Sequence, residues 1–453
     1  MPVLNRGSLV DWVGLSNPEL AILFFLQYTI ILVTCRVVGF IVKRFGQPQV
    51  VGEMIAGVCL GPSLLGVVAP QVQHWLFPKL LLNAGEVVMI GTTKVPHPLM
   101  SVIYCFAQVG LVLYMFCIGL EFDTKLLKHR ARSAISVSIA GIAAPFALGA
   151  VIAYMYRSDA ALFTPGVSLV EEILFLGAAM SITAFPMLAR IIYERGLTGT
   201  SIGTLALAAG SSDDAAAWCI LAIVLASFKH DPMIAAVAIG GGLFYAVFTL
   251  TAIRFVLARL AAKLAPGGPW NVYLLPLTLV LLMLAAWWTD YVGIYAVFGA
   301  FILGIAMPKG PIADQLRAKI EPATTTLLLP MFFVFSGLNT QLNLIGAGGL
   351  WGVTFIILLA SIAAKGVACF AAAKLNGEPT REAMAIGALM NARGLMELIL
   401  LNIGLERGVI TPALFSMLVI MAIVTTLMAT PIFEFVYGRH ARAAGTIGAT
   451  KAA

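Results

Sequence analysis

Two adjacent aspartates, Asp213 and Asp214, interrupt the apolar run LALAAGSSDDAAAWCILAIVL at positions 205–225. Neighbouring helical residues point about 100° apart, so the two carboxylates cannot serve one ligand identically. One can face a partner helix and the other a cavity. A charge at the centre of a lone membrane helix costs about 2.5–3.5 kcal/mol on insertion scales. Such a charge persists where it lines water, binds a cation or meets a buried base. One aspartate against one base satisfies helix packing, and a second, adjacent one exceeds that need. Lys365, within LLASIAAKGVACFAAAKL, is a partner for one of them. A competing cation can open such a pair, and the lysine can then give up its proton. That chemistry links cation binding to proton release.

Two further runs carry interruptions. ILFLGAAMSITAFPMLARII holds Ser181, Thr183 and Pro186. Proline removes a backbone donor and breaks the preceding turn. AMAIGALMNARGLMELILLNIG holds Asn391, Arg393, Gly394 and Glu397, and Gly394 permits local unwinding. Arg393 and Glu397 stand four residues apart, so they can pair along one face, and a structural pair that neutralises helix ends is the preferred reading. Freed carbonyls and half-helix dipoles at paired breaks form ion sites in transporters.

The elements that must position these groups cross a membrane. The chain is 60% hydrophobic and 11% charged over 453 residues, where soluble domains carry about 25% charged residues. Thirteen apolar segments are predicted, near 19–42, 48–66, 100–122, 133–156, 170–192, 203–228, 233–257, 269–289, 291–307, 322–340, 350–374, 382–404 and 411–436. Most are long enough for about 30 Å of hydrocarbon. The fold class is therefore an all-α polytopic membrane protein. Sorted by the alternating sides these segments define, the loops hold 19 Lys and Arg residues on one side and 6 on the other. Cytoplasmic loops collect basic residues, so the C-terminus is expected in the cytoplasm and the N-terminus outside. The net charge of +7 is thus topology and no sign of nucleic acid. No cleavable signal peptide is evident in MPVLNRGSLVDWVGLSNPEL. The six cysteines lie in apolar runs without metal spacing and read as free, buried thiols. GGG at 240–242 lies inside a membrane segment and reads as a packing feature. The fifth and twelfth segments, both broken, occupy equivalent places in two halves. VGLVLYMFCIGLEFDTKLL and LLLPMFFVFSGLNTQLNL open the equivalent triplets, which supports an inverted repeat.

GQPQVVGEMIAGVCLGPSLLG, FCIGLEFD, SITAFPMLARII, GSSDDAAAW and MNARGLMELILLNIG together resemble the monovalent cation:proton antiporter-2 family, over about residues 20–436. The resemblance implies sodium/proton or potassium/proton exchange by an elevator-type homodimer with two crossed broken helices. It implies that Asp214 binds cation and proton in turn, that Asp213 pairs with Lys365, and that Thr183 stands in the unwound part of the fifth helix. It implies core helices in 100–228 and 322–436, dimerisation-type helices in 19–90 and 269–309, a linker helix in 233–263, an outer N-terminal segment 1–18 and a short cytoplasmic tail 437–453. No cofactor is implied beyond the transported Na⁺ or K⁺ and H⁺, and the partners are lipid and a second copy. Many potassium-exchanging members carry a cytoplasmic nucleotide-binding domain; none is expected here in cis. Where some related exchangers place an aspartate beside the threonine, this chain has Ala184, so dipole compensation must come from elsewhere, Glu397 being one source.

Glu53, in VVGEMIAG, reads as an interfacial carboxylate; in the family its motif borders the cytoplasmic funnel. Glu121 and Asp123 are expected to be solvated beside Lys125 and Lys128. The chief alternative function is a sodium-coupled symporter of an organic anion, which needs no buried lysine against a carboxylate pair. An intramembrane aspartyl protease requires carboxylates on different helices sharing one water; these two are adjacent on one. A channel is distinguished by conductance far above turnover rates.

Overall fold

The structure, a computed structural model, describes residues 16–443 and 445 apart from 46, 48, 81, 84–85, 88, 91–92, 123, 158, 230–231, 339–349, 395–396, 398–399, 402–403 and 406–407; at 50, 82–83, 86–87, 89–90, 93–94, 124–131, 186, 214–215, 218, 221–222, 225–229, 232, 234–235 and 336 it describes the backbone alone. The side chain of Asp214, Asp123 and the segments 1–15 and 446–453 therefore lie outside the described residues.

The chain is helical almost throughout. Helices α1 (Asn17–Arg44), α2 (Gln49–Leu60), α3 (Leu65–Val68) and α4 (Pro70–Leu76) come first. Two small antiparallel pairs follow, Leu82–Asn83 with Glu86–Val87 and Met89–Ile90 with Thr93–Lys94. Each pair is separated by two residues including a glycine, the composition two-residue hairpins favour. Then come α5 (Pro98–Glu121), α6 (Thr124–Met155), α7 (Leu169–Ser181), α8 (Phe185–Glu194), α9 (Ser201–Lys229), α10 (Pro232–Phe248), α11 (Arg254–Leu264), α12 (Leu274–Tyr291), α13 (Ala296–Ala306), α14 (Pro311–Ala323), α15 (Leu329–Leu338), α16 (Trp351–Leu375), α17 (Thr380–Leu389) and α18 (Pro412–Phe433). Among the described residues, eight helices are long and apolar enough to cross a membrane.

Caps explain several ends. Ser16 and Glu19 form a capping box on α1, with Lys43 and Arg44 in its last turn. Ser168 and Glu171 do the same for α7, and Thr411 accepts from the Leu414 N–H at 3.2 Å to open α18. Charges of these signs complement the helix dipole. The expected segment 48–66 stops earlier as a helix, at Leu60, because Gly61-Pro62 follows. α6 starts at Thr124, nine residues before the expected 133, because its first turns are basic and read as a loop by hydropathy. The expected ninth segment, 291–307, is a helix only from Ala296; Gly293 (φ 90°) and Tyr295 (φ 108°) make the tight link from α12.

Two compact units emerge. One comprises 1–45, 49–111 and 323–341. In it α1 and α15 pack on α2, and Leu23 and Leu99 form a small core with Leu20, Phe24 and Trp75. The other comprises 46–48, 112–322 and 342–453. At its centre α6 packs against α7, α9 and α16. Within it, a side chain on Gly241 or Gly242 would collide with Val292 or Ile294, while one on Gly240 would meet nothing within 4 Å, so two of the three glycines serve packing. All six cysteines are free, but only Cys35, Cys117 and Cys369 are buried; Cys105 is exposed on α5. In a membrane that surface meets lipid, so an apolar run does not by itself bury a thiol.

Candidate functional site

The site forms where the second unit's two broken helices meet. α7 ends at Ser181; Ile182, Thr183 and Ala184 are unwound; α8 restarts at Phe185. Pro186 lies in the first turn of α8, where its missing N–H is one the helix would leave unpaired anyway. α17 ends at Leu389, the chain unwinds through 390–394, and Glu397 is again helical. The two breaks touch: the Ala184 N–H donates to the Ala392 carbonyl at 3.1 Å. A β-carbon on Gly394 would stand 2.8 Å from Met187 Cγ and 3.1 Å from Ala184 Cβ. Glycine is therefore required for the close approach as well as for the unwinding.

Asp213 and Lys365 meet beside this crossing, with neither side chain exposed (0%). The Lys365 ammonium lies 3.4 Å from Asp213 Oδ2. It also donates to the Gly141 carbonyl at 3.0 Å and to the Ser181 carbonyl. Its three protons are thus all placed on oxygen. Thr183 donates to the same Asp213 oxygen at 2.7 Å, and Ser138 of α6 faces that carboxylate. Asp213 Oδ1 has no hydrogen-bond partner among the described residues. Asp214 follows Asp213 on the backbone of α9.

Arg393 occupies the end of α7. Its guanidinium donates to the carbonyls of Ala179 (2.9 Å), Ile182 (3.4 Å) and Met180, and to the Ser361 hydroxyl. Carbonyls freed at a helix C-terminus carry partial negative charge, and Lys365 and Arg393 together answer it. At this C-terminal end the answering charges are two cations, whereas a carboxylate at Ala184 would have answered the opposite, N-terminal ends of the half-helices. Glu397 lies 3.8 Å from Arg393. The Arg393 N–H donates to Thr426 Oγ1 at 3.0 Å, and that hydroxyl lies 2.9 Å from the Arg393 carbonyl, tying the break to α18.

Several participants carried no signal in the sequence. Ser138, Ser361 and Thr426 look like ordinary helix hydroxyls, and the carbonyls of Gly141, Ala179, Met180 and Ser181 have no side-chain identity at all. Ser361 stands four residues before Lys365, a spacing that puts both on one face. Two acidic residues depart from expectation. Glu53 is buried (2% exposed) rather than interfacial, because α2 packs between α1 and α15. Glu121 is paired with Arg317, which also holds Glu321 at 2.6 Å; α14, read from sequence as a loop, delivers that arginine.

An all-helical polytopic fold with buried opposite charges at a helix break defines a membrane transporter, not an enzyme. A family model described as "Sodium/hydrogen exchanger, transmembrane" matches residues 29–437, and the chain belongs to that family. It is 38% identical over 419 residues to the Na(+)/H(+) antiporter NhaS4 of Synechocystis sp., covering 92% of this chain and 97% of that one. It is 36% identical to Cation/H(+) antiporter 19 of Arabidopsis thaliana, covering 92% of this chain but 50% of the plant protein. The solved sodium proton antiporter MjNhaP1 from Methanocaldococcus jannaschii shares the fold, with a TM-score of 0.62 at 16% identity over 92% of this chain and 96% of that one. The symporter alternative finds no support in these relatives.

Proposed function

We propose that the chain exchanges Na⁺ or K⁺ for H⁺ across a cell (inner) membrane, electrogenically and by alternating access. The observation that carries this reading is the fully buried Asp213–Lys365 pair next to Asp214, at the contact of two broken helices. Asp214 binds proton and cation in turn. The incoming cation loses water and meets oxygen ligands: carboxylate, the Thr183 hydroxyl and freed carbonyls, which hard cations prefer. As it engages the carboxylates it loosens Asp213 from Lys365, and the lysine releases a proton. More than one proton then exchanges per cation, and the cycle moves charge. An empty, ionised site is costly to carry through hydrocarbon, so the loaded forms move and leak is suppressed.

The same reading takes the chain as thirteen crossings in an inverted repeat, N-terminus outside and C-terminus cytoplasmic. Core helices in 100–228 and 322–436 slide against dimerisation-type helices in 19–90 and 269–309, in a homodimer. The 19-to-6 bias of basic loop residues supports the orientation. Lys309 supports a contact that must remake during such sliding: its ammonium donates to the carbonyls of Gly119 (2.8 Å), Leu120 (2.9 Å) and Gly304 (3.2 Å), joining the ends of α5 and α13.

The test is proton flux in proteoliposomes with voltage clamped and Li⁺, Na⁺, K⁺ and Rb⁺ supplied in turn. Cation-dependent proton flux with net charge movement is the expected result. Flux that ignores every alkali cation, or that requires an organic anion, rejects the reading.

A further inference from the structure

Glu397 is a fully buried acid that the exchange cycle above does not use. Neither carboxylate oxygen has a hydrogen-bond partner among the described residues, and the side chain has no exposed surface. The positive groups facing it are Arg393, on its own segment, and Lys365 on α16. Arg393 stands 3.8 Å away, well beyond the 2.7–2.9 Å or so of a charge-assisted pair. The guanidinium still has an unpartnered, buried Nε. A donor and two acceptor oxygens four residues apart therefore stay open to each other, while Arg393 spends its other nitrogens on the carbonyls of α7 and on Ser361. An ionised carboxylate with no nearer protein donor pulls such an arginine into contact. A neutral acid does not, and an unpaired neutral polar group is far less costly to bury than an unpaired charge.

We propose that Glu397 is a second proton-binding site, occupied by a proton in the state seen here, whose ionisation draws Arg393 off the carbonyls that end α7. Proton loss from Glu397 to water as the pH rises leaves an anion. That anion takes the open Nε of Arg393, and the guanidinium shifts its donors away from Ala179, Met180 and Ile182. The carbonyls so released stand next to the Lys365 contact at Ser181. Glu397 thereby ties the local structure of the broken helix to pH. This goes beyond the Asp214 exchange and rests on it only for the transport readout below.

Infrared difference spectra of the purified wild-type protein across a pH titration are the direct test. A protonated-carboxyl band that fades as pH rises is expected. Glu397→Gln deletes it, and Glu397→Asp, which keeps the acid, moves it. In proteoliposomes Glu397→Gln, which imitates the protonated form, retains exchange and alters the alkaline limb of its pH profile by several-fold relative to wild type. A wild-type spectrum without a band that Glu397→Gln removes overturns the proposal, as does a band that pH never changes or a pH profile that superimposes on wild type. Should the wild-type protein show no exchange at all, the exchange reading fails while the infrared titration still decides the state of Glu397.

Discussion

Replacing Asp214 by asparagine is expected to abolish cation-driven proton flux while leaving the protein folded. Asparagine is nearly isosteric, so packing along α9 is retained, but it neither ionises nor takes up a proton. A carboxylate and a monovalent cation about 4 Å apart, at an effective dielectric near 20, attract by about 4 kcal/mol. Loss of that attraction is roughly a thousandfold in affinity. Loss of the exchangeable proton removes the coupling as well, so the variant fails for both ions at once. Flux driven by Na⁺ or K⁺ at a wild-type rate in Asp214→Asn proteoliposomes defeats the assignment. Glu397→Gln is the useful comparison, because it also neutralises a buried acid and is expected to keep exchange.

The second large effect concerns Lys365. Lys365→Ala leaves Asp213 buried with Thr183 and Ser138 as its polar side-chain neighbours among the described residues. Breaking a buried pair from one side typically costs about 3–5 kcal/mol, so a clear drop in thermal stability is expected. Adding Asp213→Asn removes the orphaned charge and should recover much of that loss. Such recovery in a double-mutant cycle measures the coupling between the two. Transport changes separately: without the lysine's proton, fewer charges move per turnover and the voltage response shrinks or vanishes. An unchanged voltage response in Lys365→Ala rejects the lysine's part in the cycle.

Charged residues inside apolar runs were the most legible feature, because hydrocarbon tolerates so few of them. Asp213 and Lys365 lie 152 residues apart and still end within 3.4 Å. Pro186 and Gly394 marked both breaks, since each limits or frees the backbone in a way no neighbour can override. Apolar periodicity located each helical segment but placed its ends less well. α6 extends through Lys125–Arg132, which hydropathy reads as a loop, because a helix can leave the membrane without ending. The partners of Arg393 were beyond sequence reasoning. Three are backbone carbonyls and one is a common serine, all selected by how α7, α16 and the second break cross. Glu53 and Glu121 show the same limit: whether an acid near a helix end is wet depends on what packs over it.

The central claim is that one carboxylate serves cation and proton alternately, and the dependence of apparent cation affinity on pH tests it most directly. With cation and pH varied together in proteoliposomes, the apparent KM for the cation should rise by at least about tenfold for each pH unit below the midpoint of the site, more steeply where the Lys365 proton is displaced too, at constant maximal rate. An apparent KM that stays flat while the maximal rate falls with acid would mean that proton and cation occupy separate groups, and would contradict the account.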